Sequence, residues 1–179
     1  HLNSGCIYES SYKKTLDTAE AFPRIFSSLY QYMVKKTGPF NSNVGEAGGF
    51  CKSSPDQAAP DIQFHFVIAV VKDHARNWKA ALKHGFSIHT CVLRPKSRGT
   101  VKLNSANPFE QPAINPNFLS DEDDLETLLK GARLALKIMQ QKPMLKFTKQ
   151  SLDNEHLMSD DELLEQKQIN NMDQMVIRN

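Results

Sequence analysis

Two histidines on neighbouring predicted strands are the first residues of this sequence that could do chemistry. His65 and His89 each stand on the polar side of a segment in which apolar and polar residues alternate. A neutral imidazole donates one hydrogen bond and accepts another, so either ring could line a ligand pocket. The pattern by itself favours the plainer interpretation, a histidine that is hydrogen-bonded within the sheet.

The sequence lacks the residue spacings that are typical of metal sites and of catalytic nucleophiles. No two of the six histidines are three or four residues apart, and no Cys-x-x-Cys pair occurs. The Gly-x-Ser-x-Gly, phosphate-loop, Gly-x-Gly-x-x-Gly and His-Glu-x-x-His motifs are missing as well. The three widely spaced cysteines, Cys6, Cys51 and Cys91, predict reduced and mostly buried thiols rather than a disulfide framework.

A basic segment between residues 72 and 102 offers a different kind of site. It holds eight basic residues and a single acid. Such a segment could bind an anionic partner, or it could be the solvated edge of a sheet. The net charge of the chain is only +2, which gives no general attraction to nucleic acid, and we expect no nucleic-acid partner.

Apolar residues at three- and four-residue spacing predict two long helices that flank these candidates. The first helix ends at Gly38-Pro39, and the second begins with Ser120 as its N-cap and ends before Pro143. The apolar stripes are Phe22, Ile25, Phe26, Leu29, Tyr30 and Met33 in the first helix, and Leu125, Leu128, Leu129, Ala132, Leu136 and Met139 in the second.

Alternating residues predict three strands, over residues 61–71, 86–93 and 100–103. Residues 38–60 are rich in Gly, Ser, Asn and Pro and predict a loop, with Gly48 and Gly49 in a bulge or turn. The strands stand mostly in one block, with helices before and after. The predicted fold class is therefore α+β, with an antiparallel or mixed β-sheet flanked by helices.

The composition is that of an ordinary globular protein, with 179 residues of which 40% are hydrophobic and 23% charged. The longest apolar run, residues 66–71, is far shorter than the roughly 20 residues of a membrane helix. The chain does not begin with Met, which predicts an excised or processed piece. We expect one domain over residues 1–165 and a polar, frayed tail over residues 166–179.

Four separated strings, in this order, resemble the glucose–methanol–choline (GMC) oxidoreductases, most closely the choline dehydrogenase-like branch. They are residues 38–50 (GPFNSNVGEAGGF), 60–66 (PDIQFHF), 93–103 (LRPKSRGTVKL) and 112–121 (PAINPNFLSD). The resemblance covers about residues 1–165. It implies FAD-dependent oxidation of an alcohol, with an antiparallel sheet backed by helices as the roof of the substrate cavity.

By this resemblance, the chain is the substrate-binding domain alone, and the FAD-binding domain belongs to a longer parent protein. The sequence carries no dinucleotide glycine motif, so we expect no FAD on this chain by itself. The expected partners are the alcohol substrate, the FAD-binding domain of the parent and, for the isolated chain, further copies of itself. We expect a cytoplasmic protein, peripheral to a membrane only if its electron acceptor lies there.

The resemblance assigns substrate-binding residues but no catalytic ones. The catalytic His of the family and its His or Asn partner have no match in this chain, which we expect to be inactive alone. His65 matches a family His that lies near the substrate hydroxyl. His1 and Asn3 match a string in which choline-acting members carry Glu at the Asn3 position, so choline and a neutral primary alcohol are equally open. The alternative function is a non-catalytic binding module for an anionic or protein partner.

Overall fold

The computed structural model describes residues 3–10, 21–70 and 85–151, together with Ser159 and Glu162. Its centre is a five-stranded sheet in the order β2-β3-β4-β1-β7, in which every described pair of neighbours is antiparallel. This confirms the predicted α+β class. The strands are β1 (Asn3–Ser10), β2 (Gly45–Cys51), β3 (Ile62–Val67), β4 (Gly85–Val92) and β7 (Thr148–Ser151). A separate antiparallel ribbon joins β5 (Thr100–Lys102) to β6 (Ala113–Asn115).

The glycine-rich loop prediction for residues 38–60 was wrong at its centre, where β2 forms. Glycine has low strand propensity, but the backbone hydrogen bonds with β3 need no particular side chain. The bulge in this pair lies between Gly45 and Ala47, not at Gly48 and Gly49. Gly48 is needed for the pairing, because a Cβ atom there would stand 2.7 Å from the carbonyl oxygen of Phe64.

One face of the sheet packs on helix α2 (Glu122–Met139) and forms the main core. Apolar residues at helical spacing on α2 pack against alternate residues of β1, β3 and β4. This follows from the side-chain period of 3.6 residues in a helix and of 2 in a strand. The buried members of this core are Cys6, Tyr8, Ile62, Phe64, Phe86, Ile88, Ala135, Leu136 and Met139. All three cysteines are free, with Cys6 and Cys91 buried and Cys51 half-buried, as predicted.

The start of α2 differs by one residue from its prediction. Asp121, not Ser120, is the N-cap, because its carboxylate accepts the backbone N–H of Asp123 at 3.0 Å. The helix ends at Met139 and is followed by the short helix α3 (Lys142–Leu145), which has Pro143 in its first turn. The Asp-rich first turn places negative charge at the positive end of the helix, which stabilises it.

The first predicted helix is confirmed as α1 (Ala21–Tyr30), which continues in a π-helical turn over Gln31–Lys35. Lys36 ends it in the left-handed conformation, and its N–H bonds the carbonyl oxygens of Gln31 and Tyr32. A 3₁₀ turn follows over Pro39–Asn41. The large apolar residues described on this segment are exposed, with Phe26 at 74% and Met33 at 64%.

None of the described helices is long and apolar enough to cross a bilayer. The predicted tail over residues 166–179 lies outside the described residues, so the domain boundary at residue 165 stays a prediction.

Candidate functional site

The candidate site lies on the sheet face opposite α2, where the pleat directs the polar residues of β3 and β4. Directly opposed residues of an antiparallel pair share a face, and the register brings His65 opposite His89. Gly48 of β2 stands beside His65, and Gly5 of β1 stands beside His89. We call these four residues the histidine row. Glycine at both ends leaves the two imidazoles without bulky neighbours in the row.

A second row runs parallel to the first, two residues along each strand. It joins Phe50 of β2, Gln63 of β3, Cys91 of β4 and Asn3 of β1. We call these four residues the glutamine row. Gln63 and His65 are half-buried, and Cys91 is buried. The face is therefore closed around β4 and more open toward β2 and β3.

Hydrogen bonds distinguish the two histidines. Ser87 donates its hydroxyl proton to the carbonyl oxygen of Ala69 at 3.2 Å, and its Oγ lies 2.9 Å from His89 Nε2. Since a serine hydroxyl has one proton, Nε2 of His89 is the donor in the second contact. His89 thus fits the interpretation of a histidine that is hydrogen-bonded within the sheet.

His65 does not fit that interpretation. In the part of the chain that the structure describes, no hydrogen bond reaches the side chain of His65, and none reaches Gln63. These two side chains are two residues apart on β3 and share the face opposite the core. Their donors and acceptors can therefore bind a ligand that approaches this face.

The other two predicted substrate-binding residues are only partly placed. His1 lies outside the described residues. Asn3 begins β1 and pairs with Cys91, which sets it in the glutamine row, and the structure describes its backbone only. The register thus puts Asn3 and His65 on the same face, on strands separated by β4.

Neither row contains an acidic residue. Burial raises the pKa of the Cys91 thiol, which keeps it neutral at pH 7. The acid on this face of β1, Glu9, is held by Lys149 at 2.7 Å and by Gln150. The two rows therefore present hydrogen-bonding groups without a carboxylate, and the nearest acid along β3, Asp61, accepts hydrogen bonds from the N–H and hydroxyl of Ser53.

Three of the four described basic residues of the basic segment have partners within the chain. Arg94 donates to the carbonyl oxygens of Ala59 and Pro60, at 3.2 and 2.7 Å. Lys96 pairs with Asp123, and Arg98 bonds the carbonyl oxygens of its own turn. The other basic residues are Lys102, exposed on β5, and Lys72, Arg76, Lys79 and Lys83, which lie outside the described residues. The described contacts favour a structural role for this segment.

The described residues form neither a metal site nor a flavin phosphate site. Within the described ranges, no group of three His, Cys, Asp or Glu residues could hold a metal ion. Residues 3–10, 21–70 and 85–151 form an antiparallel sheet with no glycine loop between a parallel strand and a helix, so they do not fit the phosphates of FAD.

Gln63 and Phe50 were missed by sequence reasoning. Gln63 could have been found, because the alternation that places His65 on the polar side of β3 also places Gln63 there. Phe50 had no such signal, since the glycine-rich β2 was itself predicted as a loop.

Comparison with known proteins gives consistent matches. Residues 95–176 match the family model described as GMC oxidoreductase. The alcohol dehydrogenase (acceptor) of Pseudomonas putida is 39% identical over 166 residues, which are 92% of this chain and 30% of that protein. The mitochondrial choline dehydrogenase of Mus musculus is 40% identical over 119 residues, 66% of this chain and 20% of that protein.

A solved structure agrees with these matches at the level of the fold. A formate oxidase of Aspergillus oryzae RIB40, studied for the modification of its FAD, superposes with a TM-score of 0.77 at 19% identity. The superposition covers 92% of this chain and 33% of that one. The chain thus spans a third or less of the length of these relatives.

Proposed function

This chain belongs to the GMC oxidoreductase family and matches the C-terminal part of its members, and we propose that it is the substrate-binding portion of an FAD-dependent alcohol oxidoreductase. The observation that carries the proposal is His65, half-buried on the face opposite α2 and without a hydrogen-bonding partner among the described residues. In this proposal, the histidine and glutamine rows form the roof of the substrate cavity. Among the described basic residues that would support an anion-binding module, Arg94, Lys96 and Arg98 are held by internal contacts instead.

The reaction converts a primary alcohol into an aldehyde by removing two electrons and two protons. FAD bound by the rest of the parent protein would supply the oxidant for the carbon that bears the hydroxyl, and a base outside this chain would take the hydroxyl proton. We assign no residue of this chain as that base. His65 binds and orients the hydroxyl oxygen, which fixes the carbon that faces the oxidant.

We propose a neutral primary alcohol as the substrate, in preference to choline. A cation bound at this face would lose its hydration shell with no carboxylate in either row to compensate. Asn3 stands where the choline-acting members carry Glu, and an amide is uncharged. The relative that matches 92% of this chain is named an alcohol dehydrogenase, which agrees with this choice.

The cofactor and partners follow from the same proposal. FAD is held by the FAD-binding domain of the parent protein, and the isolated 179-residue chain binds none and is inactive. Without that domain, the chain associates with copies of itself. We also propose a cytoplasmic protein, peripheral to a membrane only if its electron acceptor lies there.

The proposal is tested by His65→Ala in the flavin-loaded protein that carries this chain. Mixed anaerobically with a short primary alcohol, the wild type should lose its oxidised-flavin absorbance. Loss of a group that binds the reacting oxygen should slow this bleaching by about ten- to a thousand-fold. The melting temperature should change little, because His65 is not part of the core cluster.

A matched control is Gln57→Ala, a polar change in an exposed loop outside both rows. It should leave the bleaching rate unchanged. If His65→Ala folds and reduces its flavin as fast as the wild type, His65 has no role in binding the hydroxyl. If no primary alcohol bleaches the flavin of the wild type, the proposed function itself is wrong.

A further inference from the structure

Ser87 carries a buried hydroxyl on the sheet face opposite α2, and the hydroxyl both donates and accepts. Its exposed fraction is 0%. The hydroxyl donates its proton to the carbonyl oxygen of Ala69 at 3.2 Å, and its Oγ accepts Nε2–H of His89 at 2.9 Å. Rotation of the hydroxyl would leave a polar group unpaired away from water, which is costly. The ring of His89 is therefore fixed, through Ser87, to the backbone at residue 69.

The backbone that anchors this chain of hydrogen bonds is itself tied to the sheet. Ala69 follows β3 directly, two residues after its last residue. The residue before it, Ile68, donates its backbone N–H to the carbonyl oxygen of Val44, next to the start of β2, at 3.3 Å. The anchor is thus a backbone carbonyl held between two strands rather than the end of a flexible side chain.

His65 has no comparable anchor. No hydrogen bond reaches its side chain among the described residues, and the second side-chain torsion of histidine has only broad preferences. Cβ atoms of directly opposed residues in an antiparallel pair are about 4.5–5.5 Å apart, so the ring of His89 is the lateral neighbour of His65 on the β4 side. On the β2 side stands Gly48, which has no side chain. His89 therefore limits the His65 ring from one side and leaves the other side open to a ligand.

From this geometry, and resting on the proposed function, we propose that Ser87 and His89 are positioning residues that act through His65. Ser87 holds the ring of His89, and that ring keeps the imidazole of His65 in the orientation that binds the substrate hydroxyl. Neither residue needs to touch the substrate for this role. Both lie outside the four strings that carry the family resemblance.

The test is Ser87→Ala in the flavin-loaded protein that carries this chain, mixed anaerobically with primary alcohols from ethanol to 1-octanol. The alcohol that bleaches the wild-type flavin fastest is then used for all variants, and its concentration dependence gives the limiting rate and the Kd. A misplaced hydroxyl turns its carbon away from the oxidant, so the limiting rate should fall about ten-fold. The Kd should change much less, because the contacts of the rest of the alcohol remain.

A double-mutant cycle distinguishes a role through His65 from a general weakening of the sheet. In the His65→Ala background there is no imidazole left to position. Adding Ser87→Ala to that background should therefore change the limiting rate by less than about two-fold. A merely structural role of Ser87 would slow both backgrounds by the same factor.

Two further variants keep the test decisive. His89→Ala removes the neighbouring ring directly and serves if Ser87→Ala does not fold, and it should show the same loss of rate and the same dependence on His65. Ile88→Val is the matched control, since it lies between the two residues on β4 but belongs to the main core and loses one buried methyl group. It should lower the melting temperature and leave the limiting rate unchanged.

The outcomes separate this inference from the proposed function. If an alcohol bleaches the wild type and His65→Ala slows the bleaching, but folded Ser87→Ala and His89→Ala match the wild type, the positioning role is overturned and the proposed function stands. Equal slowing of both backgrounds by Ser87→Ala would overturn the role as well, as would a loss of rate in Ile88→Val as large as that in Ser87→Ala. If no alcohol bleaches the wild type, both proposals fall.

Discussion

Asp124 is the buried acid that ties the loop after β4 to helix α2. Its side chain is only 2% exposed, and its carboxylate accepts the backbone N–H groups of Lys96 and Ser97, at 2.7 and 2.8 Å, as well as the Ser97 hydroxyl. Burial alone would raise the pKa of this carboxyl. The hydrogen bonds from Ser97 and Lys96 outweigh burial, and the pKa lies below its usual value of 3.8.

Replacing Asp124 by Asn should lower the free energy of unfolding by about 2–3 kcal/mol at pH 7, because hydrogen bonds to a charged acceptor are lost. The wild-type advantage depends on pH. The pKa is lower in the folded state, so the stabilisation is complete above the unfolded pKa and is lost as the pH falls through the folded value. Urea unfolding at several pH values should show the two proteins converging below about pH 4.

Asp123→Asn is the matched control for this prediction. Asp123 pairs with Lys96 at the surface, where both side chains are more than half exposed. Such a pair contributes at most about 1 kcal/mol. Equal losses in the two variants at pH 7 would contradict the special role of Asp124.

At the scale of elements, the approach of α2 to the sheet depends on Gly131. A Cβ atom at this position would stand 2.4 Å from Cγ2 of Thr90 and 3.3 Å from Cγ2 of Ile62. Both neighbours are almost completely buried, so neither can move into solvent. Glycine is a poor helix former, and its presence in the middle of α2 is explained by this contact.

Gly131→Ala should therefore destabilise the protein by about 1–2 kcal/mol, since overpacking exceeds the gain of up to about 1 kcal/mol in helix propensity. Thermal or urea unfolding measures the loss. The same substitution in a Thr90→Ser background should cost less than half as much, because the nearest methyl group is gone.

Lys137→Ala, an exposed change on the same helix, serves as the reference and should stay within about 0.5 kcal/mol. A Gly131→Ala variant that is more stable than the wild type would show that the helix can shift away from the sheet. The contact with Thr90 would then not limit the packing of α2.

At the scale of the whole molecule, two separate surfaces carry exposed apolar side chains. One is the α1 segment, with Phe26 and Met33, and the other is the β5–β6 ribbon, with Leu103 at 83% and Phe109 at 92% exposed. Apolar patches larger than a few hundred Å² on soluble proteins usually contact a partner. In the longer protein that we propose, further chain would be available to cover them.

The isolated 179-residue chain should therefore form dimers or larger species. Burial of apolar area contributes roughly 25 cal/mol per Å², and a net charge of +2 opposes it little. Light scattering at high micromolar concentration measures the state. Phe26→Lys combined with Met33→Lys should reduce association if the α1 segment drives it, and a monodisperse monomer in the unmodified chain would refute the prediction.

The sequence by itself determined the elements whose signal is local. The stripe on α2 and the alternation in β3 and β4 follow from side-chain periods of 3.6 and 2, which need no knowledge of the partner. The block of strands between helices determined the α+β class, and four strings determined the family resemblance. Each of these is a property of residues close together in the chain.

Only the tertiary structure decided what depends on pairing across the chain. The glycine-rich residues of β2 form a strand because they share backbone hydrogen bonds with β3, and no side-chain pattern predicts these bonds. In the folded chain, His89 forms a hydrogen bond with Ser87. The side chains of His65 and Gln63 lie one strand away, and neither forms a hydrogen bond among the described residues. The alternation pattern by itself did not distinguish the two histidines, because hydrogen-bond partners are set by register, and register joins residues that are distant in sequence.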